Sequence, residues 1–332
     1  MPNNAKKTAR QAGSQRSKKP VATAASHEVQ AGQPVGDAWE RFWYQPQSYG
    51  MLIWLRRGLG LAACLFFASY WSDIANWFSA SGLLPTERLG RLVASTGAEE
   101  VARWQFSLLY GIDSPILLRT FLVIGMISAI LVGVGRLGRG AILVCWVCLL
   151  SLANRQWVVV GLVEFPLTLG LLGLTIAGSG RGLSFDQHQP TNRAPATWQI
   201  GLGKRILQVQ AALLATAIAA AQTLRGEWLS GEGFARLLTA GAGRIIDLSA
   251  FAAYPAFARL AGLLLVAIPW GCVVAFALGL WLSSITWRRS AVVTLMVYTM
   301  CVAGLADQWL YGLALVSLLV SLVPAAATFP TD

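Results

Sequence analysis

Residues 115–134, "PILLRTFLVIGMISAILVGV", form an apolar run whose one charge is Arg119. About 20 such residues are what a helix needs to cross the hydrocarbon core of a bilayer. Backbone polar groups in lipid must be satisfied within the segment, and a barrel strand would alternate over about ten residues. The run therefore reads as a membrane helix. Pro115 is a favoured first-turn residue, and Arg136 and Arg139 mark the far side beyond Gly135.

Working outward, comparable runs recur from about Gly58 to Thr328. The first span is expected over Gly58–Trp77, after an aromatic interfacial lead-in, "WERFWYQPQSYGMLIWLRR", that ends at Arg57. Ala141–Ala153 and Trp157–Ala177 read as a helical hairpin around "NRQ" at 154–156. Further spans are expected over Arg205–Leu224 and Leu260–Ile285, the latter closed by Trp287, Arg288 and Arg289. Two more meet at Asp307 and Gln308. The segments 84–111 and 231–257 have the mixed pattern of helices or reentrant segments lying at the interface. The expected fold is all-α: a polytopic membrane bundle of about eight transmembrane helices. With 55% hydrophobic and 12% charged residues in long blocks, the composition argues against a soluble α/β enzyme.

The net charge of +11 does not point to nucleic acid, because the basic residues gather at the N-terminus and at the ends of apolar runs. Residues 1–50 read as a disordered basic cytoplasmic tail, 51–328 as the transmembrane domain and 329–332 as a short cytoplasmic tail. With the N-terminus inside, 17 of the 26 basic residues fall on the inner side. The positive-inside rule then places both termini in the cytoplasm of a bacterial-type inner (plasma) membrane. Tryptophans at run ends, Trp54, Trp77, Trp157, Trp228, Trp287 and Trp309, fit interfacial belts.

The motifs for soluble chemistry lack their contexts. "GVGRLG" at 133–138 satisfies G-x-G-x-x-G but ends a membrane helix instead of joining strand to helix. "CWVC" at 145–148 lies inside an apolar run with no second pair for zinc, and reads as helix packing. His27 and His188 sit in polar segments with no partner ligand nearby. Glu164, in "VVVGLVEFPLTLG", stands out. Counted from Trp157 it lies roughly 10 Å below the outer interface, where a charge costs about 2.5–3.5 kcal/mol and calls for a partner or a wet cavity. Arg119 is expected at the same depth as that partner, with Arg155 as the alternate. The pair serves equally well as a structural lock or as a ligand contact, and Pro166 is expected to kink the helix beside it.

From Leu55 onward the order of motifs resembles the HTTM family, the horizontally transferred transmembrane domain also found in vitamin K-dependent gamma-carboxylase. The resemblance runs through "LRRGLGLAACLFFASYWSDI" (55–74), "SGLLP" (81–85), "SLANRQWVVVGLVEFPLTLGLLGLTI" (151–176), "LSFD" (183–186) and "WQIGLGKRILQVQ" (198–210). It covers about Leu55 to Pro324 and includes "AAAQTLRGEWLSG" (219–231), where Trp228 and Gly231 match the family's helix-end pair. In the carboxylase a lysine precedes the leucine of this stretch and is associated with deprotonation by reduced vitamin K. Here Gln222 and Thr223 precede Leu224, and neither an amide nor a hydroxyl takes a proton at neutral pH. "ANRQW" also lacks the histidine that follows the carboxylase's paired asparagines.

The resemblance thus implies a membrane protein with a cavity for a lipid or quinone-like molecule, and disfavours gamma-carboxylation. Glu164, Arg119, Gln222, Thr223, Trp228 and Arg155 are the candidate ligand contacts; no metal is expected. Membrane lipids are the expected partners. The alternatives are a quinone-linked enzyme of altered chemistry, working with a soluble redox partner, and a structural or assembly module.

Overall fold

The computed structural model describes residues 35–44, 50–96, 107–155, 161–177, 198–239 and 248–324. The expectations for the N-terminal tail before residue 35, His27, Trp157, "LSFD", His188 and residues 325–332 lie outside them. The architecture is all-helical, 83% helix with no strand among the described residues.

In chain order the helices are α1 (Val35–Tyr44), α2 (Gly50–Ser69), α3 (Ile74–Phe78), α4 (Thr86–Thr96), α5 (Pro115–Val134), α6 (Gly138–Arg155), α7 (Glu164–Ala177), α8 (Trp198–Leu224), α9 (Glu227–Ser230), α10 (Glu232–Thr239), α11 (Ser249–Ala252), α12 (Pro255–Trp281), α13 (Ile285–Leu305) and α14 (Trp309–Leu319), which a 3₁₀ turn, Val320–Leu322, extends. Five of them, α2, α5, α6, α8 and α12, are long and apolar enough to cross a membrane. Helices α7, α13 and α14 pack among them. Neighbours follow the sequence and close on themselves: α2 packs on α5, α5 on α6, α6 on α7, α7 on α8, α8 on α12, then α13, α14 and back to α2. One apolar core runs through the ring, from Leu59 and Phe67 through Leu122, Leu149 and Leu171 to Leu207 and Leu318.

Small residues set the closest crossings. A Cβ on Gly60 would lie 2.6 Å from the Gly133 nitrogen, so α2 and α5 meet backbone to backbone. Gly135 caps α5 in the left-handed region at φ 85°, and the Arg56 guanidinium covers it where any side chain would stand. The glycines of "GVGRLG" thus serve a helix crossing, a cap and the tight turn into α6.

The first span begins earlier than expected, at Gly50 instead of Gly58. Leu52, Leu55 and Leu59 continue one buried face through the paired arginines. Arg56 is only 2% exposed because it packs on Gly135, so the charges that look like a boundary sit inside the helix. After Ser69 the chain turns and forms α3. The hairpin also differs: α6 is longer than its apolar run, reaching from Gly138 to Arg155, and α7 starts at Glu164. Trp287, Arg288 and Arg289 open α13 instead of closing the span before it.

The two ends of the ring differ in charge. At one end lie Arg56, Arg57, Arg136, Arg139, Lys204, Arg205, Arg288 and Arg289, together with the contact of Tyr44 on Trp198 and the close of α14. From Gly50 onward every described carboxylate, Asp73, Glu87, Asp113, Glu164, Glu227, Glu232 and Asp307, lies at the other end among a similar number of arginines.

Candidate ligand cavity

A cavity of about 350 Å³ opens at the carboxylate-bearing end, between α8, α12, α13 and α14. Helices α9 and α10 roof it with Trp228 and Leu237, and Leu162, just before α7, closes one side. Its deep walls are apolar: Ala215, Ile218, Leu295, Leu315 and Leu319. Volumes of this order suit a small organic ligand or one lipid chain.

The polar part of the wall follows from one proline. Pro269 sits inside α12, and a proline there has no N–H for the carbonyl four residues back, Leu265. The Tyr298 hydroxyl of α13 donates to that carbonyl at 2.8 Å. A hydroxyl has a single proton, so the Gln222 amide of α8 must donate to the tyrosine oxygen, at 3.0 Å, while Gln222 Oε1 at 3.2 Å receives nothing from it. The relay Gln222, Tyr298, Leu265 thus ties three helices at the cavity wall, between the mouth and its deep apolar part. The second amide N–H and the carbonyl oxygen of Gln222 keep hydrogen-bonding capacity beyond it.

Thr223 makes a parallel link outside the cavity. Its hydroxyl donates to Ala219 O at 2.9 Å and accepts from Trp270 Nε1 at 2.8 Å, fixing α8 to α12 beside Pro269. The roof needs glycines. Gly231 ends α9 at φ 90°, and a Cβ there would meet the Arg259 backbone at 2.5 Å. A Cβ on Gly262 would fall on the Trp228 carbonyl. The stretch "LRGEWLSG" can fold onto α12 only because both positions are bare.

At the rim stand Arg225, exposed just past the end of α8, and Gln308 in the turn between α13 and α14. Glu227 and Glu232 are engaged by Arg236, at 3.0 and 3.6 Å. Arg225 takes part in none of the ion pairs among the described residues, although Asp307 lies in the same rim turn as Gln308.

Of the six expected contacts, Gln222 and Trp228 line the cavity and Thr223 braces its wall. Glu164, Arg119 and Arg155 do not line it. Glu164 is buried, but as the first residue of α7, where the helix dipole favours a carboxylate; it does not lie at a helix centre. A Cβ on Gly161 would lie 3.1 Å from its Oε2, so the carboxylate folds back over the preceding chain. Pro166 correspondingly sits in the first turn, where no helix bond is lost, and makes no mid-helix kink. Arg119 is exposed on α5, and the expected ion pair with Glu164 is not among those of the described residues. An arginine about one turn into a helix reaches the interface by extending its own stem.

Arg155, fully buried, serves another cluster. It donates to Asp113 Oδ1 at 2.9 Å and to Thr86 Oγ1 at 2.7 Å, with Phe78 beneath its guanidinium. Thr86 in turn donates to the same carboxylate oxygen at 2.8 Å. This clamp joins the ends of α4, α5 and α6. Tyr110 beside it donates to Asn154 O, and burial raises its hydroxyl pKa above the ordinary value while Arg155 acts in the opposite sense. Cys145 and Cys148 are buried thiols of the core, and no group of three metal-ligating side chains occurs among the described residues.

Sequence reasoning missed Tyr298, Pro269, Arg225 and Gln308. A proline inside an apolar run was the available signal, since it announces an orphan carbonyl that some hydroxyl or amide must reach. Comparison of the chain with protein-family models, with curated proteins and with solved structures gives no match.

Proposed function

We propose that this chain is an HTTM-like polytopic membrane protein whose intramembrane cavity holds a lipid or quinone-like molecule, and that it is not a gamma-carboxylase. In this reading α2, α5, α6, α7, α8, α12, α13 and α14 are eight spans. The basic end and both termini face the cytoplasm across a bacterial-type plasma membrane, as the excess of uncompensated arginine at that end favours. The observation that carries the proposal is the cavity itself: about 350 Å³ with apolar walls, and the Gln222 and Tyr298 relay near its mouth.

The chemistry available there speaks against proton abstraction by an amine. Beyond Lys19 the chain has one lysine, Lys204, near the start of α8, and 18 residues at 1.5 Å put it roughly 27 Å from Gln222. Gln222 is an amide already committed to Tyr298. Apolar walls with a few fixed hydrogen-bonding groups suit binding and orienting a ligand.

The test is native mass spectrometry of the full chain purified in mild detergent. An apolar adduct of discrete mass should be retained, and Ala221→Trp, which fills the cavity mouth from an exposed position, should remove it. Retention of no adduct by the wild-type chain, or an adduct indifferent to Ala221→Trp, would overturn the reading.

A further inference from the structure

We propose that the ligand is an anionic amphiphile, its apolar chain in the cavity and its acidic head held at the rim by Arg225 and Gln308; this rests on the cavity reading above. The wall residues give the cavity a direction. Polar side chains other than the relay and Thr299, whose hydroxyl is spent on Leu295 O, gather at the mouth. A second, separate cavity of about 70 Å³ shares Ala215 and Leu295 with the first and is lined further by Cys272, Phe276, Ala291 and Thr216, whose hydroxyl is spent on Ala212 O. From Arg225 back to Ala212, which lines the second cavity, is 13 residues of α8, roughly 20 Å at 1.5 Å each. The two cavities thus set apolar linings one behind the other below a polar mouth, an arrangement that suits a single acyl or prenyl chain.

The charge at the mouth selects the head. The neighbouring carboxylates Glu227 and Glu232 are turned to Arg236, which leaves the Arg225 guanidinium at the rim without an ion-pair partner among the described residues. A guanidinium presents paired N–H donors that match a carboxylate or a phosphate, and close to an apolar wall such a bond is stronger than in water. Gln308 adds an amide donor on the facing rim. A neutral head group gains only the ordinary hydrogen bonds. Carboxylate and phosphate share this chemistry, so the ligand class is an acidic head on one long chain.

Native mass spectrometry of the full chain in a neutral detergent, titrated separately with palmitate, hexadecyl phosphate and hexadecanol, tests this. At least one of the two acids should bind about tenfold or more tightly than the alcohol, and the tighter acid identifies the head as carboxylate or phosphate. Arg225→Gln, at an exposed residue without an ion pair among the described residues, should erase that preference, so that the acids bind no more tightly than hexadecanol. Ala221→Trp should weaken all three. Equal binding of acids and alcohol refutes the acidic head, and a preference that survives Arg225→Gln refutes its seat at Arg225; either result leaves the cavity standing. Binding unaffected by Ala221→Trp removes the cavity reading and this inference together.

Discussion

Tyr298 is the residue on which the site's architecture turns, because its hydroxyl replaces the backbone donor that Pro269 lacks. Removing that hydroxyl leaves Leu265 O without its donor and the Gln222 amide without its acceptor. Hydrogen bonds between membrane helices contribute roughly 0.6–2 kcal/mol, so Tyr298→Phe should destabilise by about that amount in detergent-micelle unfolding. The cause is separable from lost packing. Pro269→Ala restores an N–H to Leu265 O within α12, and in that background Tyr298→Phe should cost measurably less. Equal costs in the two backgrounds would mean that the proline and the tyrosine are not coupled. Nothing in "MVYTM" announces this role, since the three partners lie on three helices and Gln222 is 76 positions away from Tyr298. Gln222 itself was legible as a polar residue inside an apolar run, but its engagement was not.

At the scale of elements, the sequence was most readable where a helix carries its own signals at both ends. Pro115 and Gly135 bound α5 as expected, one pre-set for the first turn and the other free to adopt φ 85°. It was least readable where charge suggests a boundary and packing overrules it. Arg56 is buried in α2 because Gly135 leaves room above it, a complementarity between residues 79 positions apart that periodicity cannot show. The same holds for Arg155, which belongs to Asp113 and Thr86 and not to Glu164. Because Arg155 is 0% exposed, truncating its partner strands a charge, and Asp113→Ala should cost about 3 kcal/mol. Replacing both, as Asp113→Ala with Arg155→Met, should recover much of that loss, and thermal unfolding of the two variants in detergent checks it. If the double variant is no more stable than the single one, the clamp contributes more than relief of a buried charge. The α2 and α5 crossing gives a further test. Gly60→Leu places a side chain where the Gly133 backbone stands, so the full chain should lose its compact fold, seen as increased protease sensitivity. Its neighbour Leu61 is 54% exposed, and Leu61→Ala should leave the cleavage pattern unchanged. Equal protease resistance of Gly60→Leu and the wild-type chain would mean that the two backbones do not meet there.

At the scale of the whole molecule, the asymmetry of charge is the property that the ring of helices makes visible. Arginines and one lysine at one end face no described carboxylate from Gly50 onward, whereas at the other end carboxylates and arginines offset one another. Packing accounts for single members of this set, such as Arg56 and Arg155, and not for the difference between the two ends. It matters during insertion, when loops rich in Lys and Arg are retained on the cytoplasmic side. In the proposed topology, the alternation of the helices puts the cavity mouth, with Arg225 and Gln308, at the outer face. Leu137, 74% exposed in the turn between α5 and α6, reports the basic end, and Leu83, 60% exposed between α3 and α4, reports the other. In a background with the five native cysteines replaced by serine, a membrane-impermeant maleimide applied to intact cells should label Leu83→Cys. Leu137→Cys should be labelled only after the membrane is permeabilised. The reverse pattern would turn the cavity mouth toward the cytoplasm, so that an acidic amphiphile would have to reach Arg225 from the inner leaflet. Labelling of both sites in intact cells would mean that the ring does not cross the membrane as a unit.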